Sequence, residues 1–343
     1  MTTSLADVRW VANLHTMFTE HSLLERPAAA RAAGFSEVEY WWPFDGQPRP
    51  TRDQIEQFVE AVTSAEVQLT AMNLYAGAMA SGDRGVISHP GSAQDFRDSV
   101  EVAVAVGARL GTRLFNVPYG RRLADVPAAE QDAAAVEALS YAATSVASFG
   151  GTVLVEPLSG FPDYPVRTSR AALEVIDRAR AAVGRAGETG IGLLMDQYHL
   201  ATNGEDVMAD LDLVAPYLRH VQVADVPGRG APGSAEGNVR GFVEKLLGLG
   251  YNGAVALEYL PAGNTAESVA IWREAFGTRC SPPADCATSW VFHPRMGPGH
   301  GAPDRAGVVR RCTHYSSRAT YWWSEEITTA VDEFAVRAGR RRL

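Results

Sequence analysis

Four apolar segments of the chain each end in a side chain that can bind a metal or transfer a proton. Three of these side chains are carboxylates. If the ends of their segments meet in the fold, the carboxylates would repel one another and partly protonate unless a cation neutralised them. An oxygen-rich set without cysteine suits Mg²⁺ or Mn²⁺ better than zinc. Alone, each carboxylate could equally be a helix N-cap or a surface ion partner, so it is the series that predicts a divalent-metal site. The segments are TVLVEPL, GIGLLMDQYHL, HVQVADV and AVALEYL, and the residues are Glu156, Asp196, Gln222 and Glu258.

Three further residues near these segments carry groups that could bind a substrate. His199 follows Asp196 by three residues in the motif DQYH, which favours a functional role over a structural one. His220 precedes Gln222 by two residues and so lies on the same side of its strand, where it either lines the pocket or is buried and hydrogen-bonded. Arg229, in the loop PGRG, has the guanidinium geometry to hold a carboxylate through two hydrogen bonds, although a solvated loop cation is equally compatible.

Other polar residues end the earlier predicted strands. Asn73 directly precedes a long Gly-rich loop, residues 76–92, which contains Asp83 and Arg84. Loops of this length are usually functional lids or disordered, and this one could close over a substrate and exclude water. Asn73 is therefore a candidate substrate-binding residue. The remaining polar residues at these strand ends are Asn13, His15, Glu39 and Asn116.

These residues belong to an alternation of short apolar strands and helical segments. Eight strand-plus-helix units fit into about 276 residues, and this pattern predicts a (β/α)8 TIM barrel. In such a barrel the active site lies at the carboxyl ends of the strands. No G-x-G-x-x-G opens a helix after the first strand, so the doubly wound alternative lacks its phosphate-binding loop.

Composition excludes several classes of function. The net charge of −9 disfavours a protein that binds nucleic-acid backbones, and residues 1–278 taken alone stand at −13 because ten arginines and only six acidic residues lie in 279–343. No stretch is long and apolar enough to span a membrane, and the start of the chain lacks the features of a signal peptide. We therefore expect a cytoplasmic protein that binds neither nucleic acid nor membranes.

The pattern of strands and helices ends at about residue 278. Residues 279–343 form an Arg/Pro/Gly-rich C-terminal extension, which we expect to be poorly ordered and which could be translated past the natural end of the barrel or in an altered frame. A zinc site is the alternative, but the spacing matches none of the usual short pairs. The residues concerned are Cys280, Cys286, Cys312, His293, His300 and His314.

Seven strings of the sequence together resemble the hydroxypyruvate isomerase family, within the xylose-isomerase-like barrels. The resemblance covers about residues 8–276 in the family's order, and it assigns 1–278 to one barrel. The chain departs from the family at NVPYGRR, where an N-x-x-x-G pattern is more usual, and in its extension after 278. The strings are VANLHTMF, GFSEVEYWWPFD, NLYAGAMASGDRG, VEPLSGF, LLMDQYH, HVQVADVPGRGAPG and YNGAVALEY.

The resemblance implies a function. It implies that Glu156, Asp196, Gln222 and Glu258 bind a divalent metal, Mg²⁺ or Mn²⁺, that Glu156 and Glu258 are the acid/base pair, and that His199 and Arg229 contact the substrate. The expected reaction interconverts hydroxypyruvate and 2-hydroxy-3-oxopropanoate (tartronate semialdehyde) through an enediolate. The partner is then a small hydroxy-oxo acid, and the helical faces of such barrels often support homo-oligomers.

Four alternatives follow from the same residues. Isomerisation of a 2-oxo-tetronate is the nearest. Sugar epimerisation is a neighbour, but related epimerases tend to have His where Gln222 stands. A nuclease resembling abasic-site endonucleases would need a His-rich zinc cluster and a basic face, whereas residues 1–278 hold five His. A non-catalytic barrel module would have no reason to keep the four metal-type side chains.

Overall fold

The computed structural model describes residues 5–44, 46–184, 190–235 and 237–277. Within them, eight parallel strands form a closed barrel in the order of the chain, with β1 paired to β8. This confirms the predicted (β/α)8 TIM barrel. The strands are β1 Trp10–Asn13, β2 Glu37–Tyr40, β3 Gln68–Asn73, β4 Leu114–Asn116, β5 Thr152–Val155, β6 Ile191–Asp196, β7 Leu218–Val223 and β8 Val255–Leu257.

Strand register places the polar strand ends beside one another. Asp196 of β6 pairs with Gln222 of β7, and Asn73 of β3 pairs with Asn116 of β4. All six residues of β6 are buried, as expected for a strand covered on both faces. The apolar residues of the strands thus fill the barrel, and the polar residues gather at its carboxyl end.

Nine α-helices lie in the described part of the chain, most of them packing an apolar face onto the strands. The second begins at a capping box, in which Thr51 and Gln54 satisfy each other's main-chain N–H groups. The helices are α1 Arg26–Ala32, α2 Arg52–Ser64, α3 Ala93–Leu110, α4 Ala128–Ala147, α5 Ser169–Val183, α6 Gln197–Thr202, α7 Val207–Val214, α8 Val239–Gly248 and α9 Thr265–Phe276. None of the helices described has both the length and the apolar character needed to cross a bilayer.

The long loop between β3 and α3 is anchored rather than unstructured. Gly85 forms an antiparallel bridge with Tyr119, and the Ser88 N–H donates to the Tyr119 carbonyl at 3.0 Å. Gly85 has φ +108°, and a Cβ added there would lie 2.1 Å from the carbonyl oxygen of Pro118. Only glycine permits this close approach. The loop is therefore fixed to the connection between β4 and α4.

The predicted boundary after residue 278 and the predicted disorder of the extension fall outside the described residues. The same holds for the cysteines and histidines considered for zinc.

Candidate active site

The four residues predicted as metal ligands all lie at the carboxyl end of the barrel. Glu156 directly follows β5, Asp196 is the last residue of β6, Gln222 is near the end of β7, and Glu258 directly follows β8. All four are buried. They come from four consecutive strands, so the barrel gathers them on one side of its mouth.

Glu156 and Asp196 face His199 across a small space. His199 Nε2 lies 3.5 Å from Asp196 Oδ2 and 4.0 Å from Glu156 Oε1. One ligand-type atom from each of the three residues lies within 4.8 Å of the others, close enough to hold a metal ion. The other oxygen of Asp196 accepts the Tyr198 N–H at 2.8 Å, because Asp196 also caps α6.

Glu258 and Asp196 are bridged by Arg229. Its Nη2 lies 2.6 Å from Glu258 Oε1 and 3.3 Å from Asp196 Oδ2, and its Nε donates to the Glu258 main-chain carbonyl at 3.0 Å. Trp41 Nε1 also donates to Glu258 Oε1, at 3.2 Å. The guanidinium is largely buried and lies over the ring of Tyr198. Arg229 thus supplies positive charge to two carboxylates of the site.

Gln222 is oriented by Glu39, a buried carboxylate of β2. Gln222 Nε2 donates to Glu39 Oε1 at 2.7 Å, and Asn13 Nδ2 donates to the same oxygen at 2.8 Å. His220 Nε2 lies 2.6 Å from Glu39 Oε2. Since the amide nitrogen of Gln222 is committed to Glu39, its carbonyl oxygen faces away. That Oε1 is buried and has no hydrogen-bond partner among the described residues.

His199 is oriented from the opposite side by Ser159, in the loop after β5. The main-chain N–H of Ser159 donates to His199 Nδ1 at 3.1 Å, and the Ser159 hydroxyl lies 2.7 Å from the same nitrogen. Because Nδ1 accepts a hydrogen bond, the neutral ring carries its proton on Nε2. The nitrogen that faces Glu156 and Asp196 is therefore a donor and has no lone pair for a metal.

Asn116 holds the remaining oxygen of Glu156. Asn116 Nδ2 donates to Glu156 Oε2 at 2.6 Å and to Asn73 Oδ1 at 3.2 Å. Asn73 therefore lies beside the site, with the side chain of Asn116 between it and Glu156. Its predicted role in substrate binding is compatible with this position.

Burial controls the ionisation of the two glutamates. Removal from water, together with the nearby charge of Asp196, raises the pKa of Glu156 to about 8. Burial likewise raises the pKa of Glu258 well above its ordinary value, while Arg229 opposes that change. For Arg229 itself, the carboxylates of Glu258 and Asp196 outweigh burial and raise the pKa. Without a cation, the two glutamates thus favour their protonated forms.

The atoms available at the site suit a hard divalent cation. The carboxylates of Glu156 and Asp196 lie close together, and Arg229 links Asp196 to the carboxylate of Glu258. Gln222 adds an unpartnered amide oxygen at the same end of the barrel, and such oxygens are the ligands that Mg²⁺ and Mn²⁺ prefer. A buried polar atom without a partner is uncommon in a native protein, and a bound cation would satisfy it. The residues present therefore fit a divalent metal.

The sequence locates these residues at the ends of predicted strands, but it does not indicate which contacts orient them. Glu39 was noticed only as a polar strand end, although it binds Gln222, His220 and Asn13. Trp41 and Ser159 lie in the strings GFSEVEYWWPFD and VEPLSGF, but neither string indicates which residue of the site it contacts. His220, considered for substrate binding, is fully buried beneath the site against Glu39.

Comparison with known proteins gives the family. Residues 27–275 match the model of the xylose isomerase-like TIM barrel family. A Streptomyces coelicolor protein is 41% identical over 273 residues, which are 79% of this chain and 97% of that protein. Its name is "Putative hydroxypyruvate isomerase". The hydroxypyruvate isomerase of Escherichia coli is 30% identical over 78% of this chain and 99% of its own length.

Two other matches come from proteins with different names. The 2-oxo-tetronate isomerase of Cupriavidus necator is 31% identical over 75% of this chain and 95% of its own length. A solved structure described as AP endonuclease, family 2, from Brucella melitensis superposes with a TM-score of 0.69 at 29% identity, over 78% of this chain and 98% of that one. The chain therefore belongs to the xylose isomerase-like TIM barrel family and, within it, to the hydroxypyruvate isomerase family.

Proposed function

We propose that this protein is a divalent-metal-dependent isomerase that interconverts hydroxypyruvate and 2-hydroxy-3-oxopropanoate. The names of the relatives from Streptomyces coelicolor and Escherichia coli support this reaction. The observation that carries the proposal is the close approach of the buried carboxylates of Glu156 and Asp196, at the barrel end that also holds the unpartnered Gln222 oxygen. The Cupriavidus necator relative favours a second candidate, isomerisation of a 2-oxo-tetronate.

The proposed metal ligands are Glu156, Asp196, Gln222 and Glu258. A bound Mg²⁺ or Mn²⁺ would supply positive charge beside the carbonyl and hydroxyl oxygens of the substrate, where negative charge develops as a C–H proton leaves. Asp196 and Gln222 are positioned for this by the α6 N-terminus and by Glu39 respectively.

Glu156 and Glu258 are the proposed acid/base pair. One glutamate removes a proton from a carbon of the substrate, which leaves an enediolate, and the other returns a proton to the adjacent carbon. Each is held by a fixed donor: Asn116 binds one oxygen of Glu156, and Arg229 binds one oxygen of Glu258. Fixed donors keep each carboxylate aligned while its protonation changes.

Four other side chains are proposed to hold the substrate or the ligands. His199, with its donor Nε2 facing the site, suits a substrate oxygen. Asn73 lies next to Asn116 and could add a further hydrogen bond. His220 is assigned a positioning role through Glu39 rather than a substrate contact, because it is fully buried. Arg229 faces the substrate side while it neutralises Asp196 and Glu258.

The test is isomerase activity on hydroxypyruvate and on a 2-oxo-tetronate, followed by proton NMR in D₂O with and without Mn²⁺. We expect metal-dependent turnover of one acid, with deuterium entering at the carbon next to the carbonyl, and loss of turnover in Glu258→Gln. Glu37→Gln is the matched control, since it changes a β2 glutamate outside the site. Tight metal binding without turnover of either acid would contradict the proposed substrates.

Abasic-site cleavage is not favoured, although one solved relative is described as an AP endonuclease. In the described part of the chain, the one His/Cys/Asp/Glu group whose ligand-type atoms all lie within 4.8 Å of one another contains a single histidine, His199, and is not a His-rich cluster. Residues 1–278 also carry a strongly acidic balance. Incubation with a duplex that contains one abasic site tests this alternative. A cytoplasmic location and a homo-oligomer stay predictions.

A further inference from the structure

Two arginines at the mouth of the barrel lack a carboxylate partner. Six described arginines lie on loops that follow a strand, and four of them pair with an acidic side chain within 4.0 Å. For the other two, Arg84 and Arg167, no carboxylate of the described residues lies within that distance. The four paired arginines are Arg49, Arg121, Arg122 and Arg229.

Arg84 is held in place by contacts that leave its charge uncompensated. Its Nη1 donates to the main-chain carbonyls of Met79 at 3.1 Å and Asp83 at 2.6 Å, and the guanidinium lies over the ring of Phe161, 4.5 Å from the centroid. Its Nε and Nη2 have no hydrogen-bond partner within the described ranges. An oriented guanidinium with two free donors is the arrangement that binds a carboxylate.

Arg84 belongs to the loop after β3, and its guanidinium lies over a ring of the loop after β5, the strand that Glu156 directly follows. Phe161 lies five residues after Glu156 in the loop that follows β5. The Phe161 carbonyl accepts the Tyr164 N–H at 3.1 Å, and the Tyr164 hydroxyl contacts the main-chain carbonyl of Glu156 at 3.4 Å. Arg167 instead donates to the Asn203 side chain, which lies just past the end of α6. Arg167 is also linked to the site, since the Asn203 N–H donates to the His199 main-chain carbonyl at 3.0 Å, but the Nε of Arg167 is buried. The free donors of Arg84 are the more accessible of the two sets.

Arg229 is less suited to the same task. Its Nη2 is shared between Asp196 and Glu258, and its Nε binds a main-chain carbonyl. A substrate carboxylate at Arg229 would approach two carboxylates of the protein and be repelled by them. The carboxylate nearest to Arg84 in sequence, that of Asp83, accepts the Ala78 N–H and forms no ion pair with the guanidinium within 4.0 Å.

We propose that Arg84 binds the carboxylate of the substrate and so selects small hydroxy-oxo acids over neutral sugars of the same length. This inference rests on the proposed isomerase function. The anchored loop between β3 and α3 orients the guanidinium through two of its main-chain carbonyls. Burial, together with the charge of Arg121, lowers the pKa of Arg84 and outweighs the opposing effect of Asp83.

The experiment compares Arg84→Gln, Arg167→Gln and Arg121→Gln in the Mn²⁺-loaded full chain. The readouts are KM and kcat for hydroxypyruvate, the dissociation constant of D-glycerate by calorimetry, and inhibition by neutral dihydroxyacetone. Arg121 is the matched control, since it lies over the same Phe161 ring but pairs with Asp163. Melting temperature reports on folding.

We expect Arg84→Gln to raise KM and weaken D-glycerate binding by about 10- to 100-fold, with a smaller change in kcat and no change in dihydroxyacetone inhibition. Both control variants should stay within about threefold of wild type. Unchanged D-glycerate binding in Arg84→Gln, or an equal loss in Arg167→Gln, would overturn the assignment. Wild type that neither turns over hydroxypyruvate nor binds D-glycerate would instead overturn the proposed function, and the assignment with it.

Discussion

The Gln222 side chain donates to Glu39 Oε1 at 2.7 Å and leaves its own Oε1 without a partner among the described residues. The carboxylate of Glu39 on β2 therefore orients the side-chain amide of Gln222 on β7. Glu39 does this without being one of the proposed ligands. Groups that orient a ligand in this way usually matter nearly as much as the ligand itself.

Glu39→Gln tests this orientation. The new amide would present an NH₂ group to donors from Asn13, Gln222 and His220, so Gln222 would lose its fixed orientation. We expect Mn²⁺ affinity to fall by about 10- to 100-fold. We also expect the free energy of unfolding to fall by about 2 to 4 kcal/mol, because buried donors lose their acceptor. Mn²⁺ titration by calorimetry and urea unfolding measure the two effects; Mn²⁺ affinity equal to that of wild type would refute the role of Glu39.

His199 can be tested with two amides that mimic different ring nitrogens. Gln places a donor near the position of Nε2, whereas Asn places an acceptor near Nδ1 and keeps only the contact to the Ser159 N–H. We expect His199→Gln to keep more activity than His199→Asn, and both to bind Mn²⁺ as wild type does, because Nε2 is a donor. Metal content and kcat/KM are the measurements. Loss of metal from both variants would show instead that His199 is a ligand.

Metal should stabilise the fold because it binds the folded protein and not the unfolded chain, in which the ligands are dispersed. At a free Mn²⁺ concentration of about 100 times its dissociation constant, binding adds about 2.7 kcal/mol to the free energy of unfolding. For a domain of this size that corresponds to a rise of about 5 to 10 °C in melting temperature, which EDTA should reverse. Glu258→Gln should show a smaller rise. The same rise in wild type and variant would argue that the ion binds elsewhere.

Much of the fold follows from local patterns, whereas the connections within the site do not. Apolar runs such as residues 191–195 predict buried strands, and a carboxylate at the end of such a run must lie at the mouth of a parallel barrel. That is why Glu156, Asp196 and Glu258 could be located from sequence. The sequence does not distinguish helix α6 from a loop, because its six residues begin directly after the strand. Asp196 is both a residue of the site and the N-cap of this helix.

Other contacts of the site leave no local trace in the sequence. Glu37 and Glu39 alternate with apolar residues in β2, so the sequence does not distinguish them. Glu39 contacts His220, which lies 181 residues later, whereas Glu37 accepts hydrogen bonds from Arg9 and Thr70. Only the closed barrel distinguishes them. Ser159 contacts His199 through its hydroxyl and through its main-chain N–H, a group that every residue except proline shares.

Glu37 gives a pH-dependent prediction that is separate from the site. Hydrogen bonds from Arg9, against the opposing effect of burial, lower the pKa of Glu37 from its ordinary value of 4.5. A lowered carboxyl pKa contributes stability above the unfolded-state pKa and loses it as pH falls through the folded-state pKa. We expect Glu37→Gln to cost about 1 kcal/mol at pH 7, since Arg9 is partly exposed, and progressively less below about pH 4.5. Urea unfolding at pH 7, 5 and 3.5 checks this, and a difference that grows toward low pH would contradict it.

The hydrogen bonds of Glu39 span 26 residues to Asn13, 181 to His220 and 183 to Gln222. Contacts of such long range form only after much of the intervening chain has been ordered, at a large loop-closure cost. No contiguous fragment short of β1 to β7 can contain this cluster, and the β1–β8 pairing completes the ring around it. During synthesis, the site can therefore form only after the last strands have left the ribosome. A shorter nascent chain contains most of the active-site residues but not their arrangement.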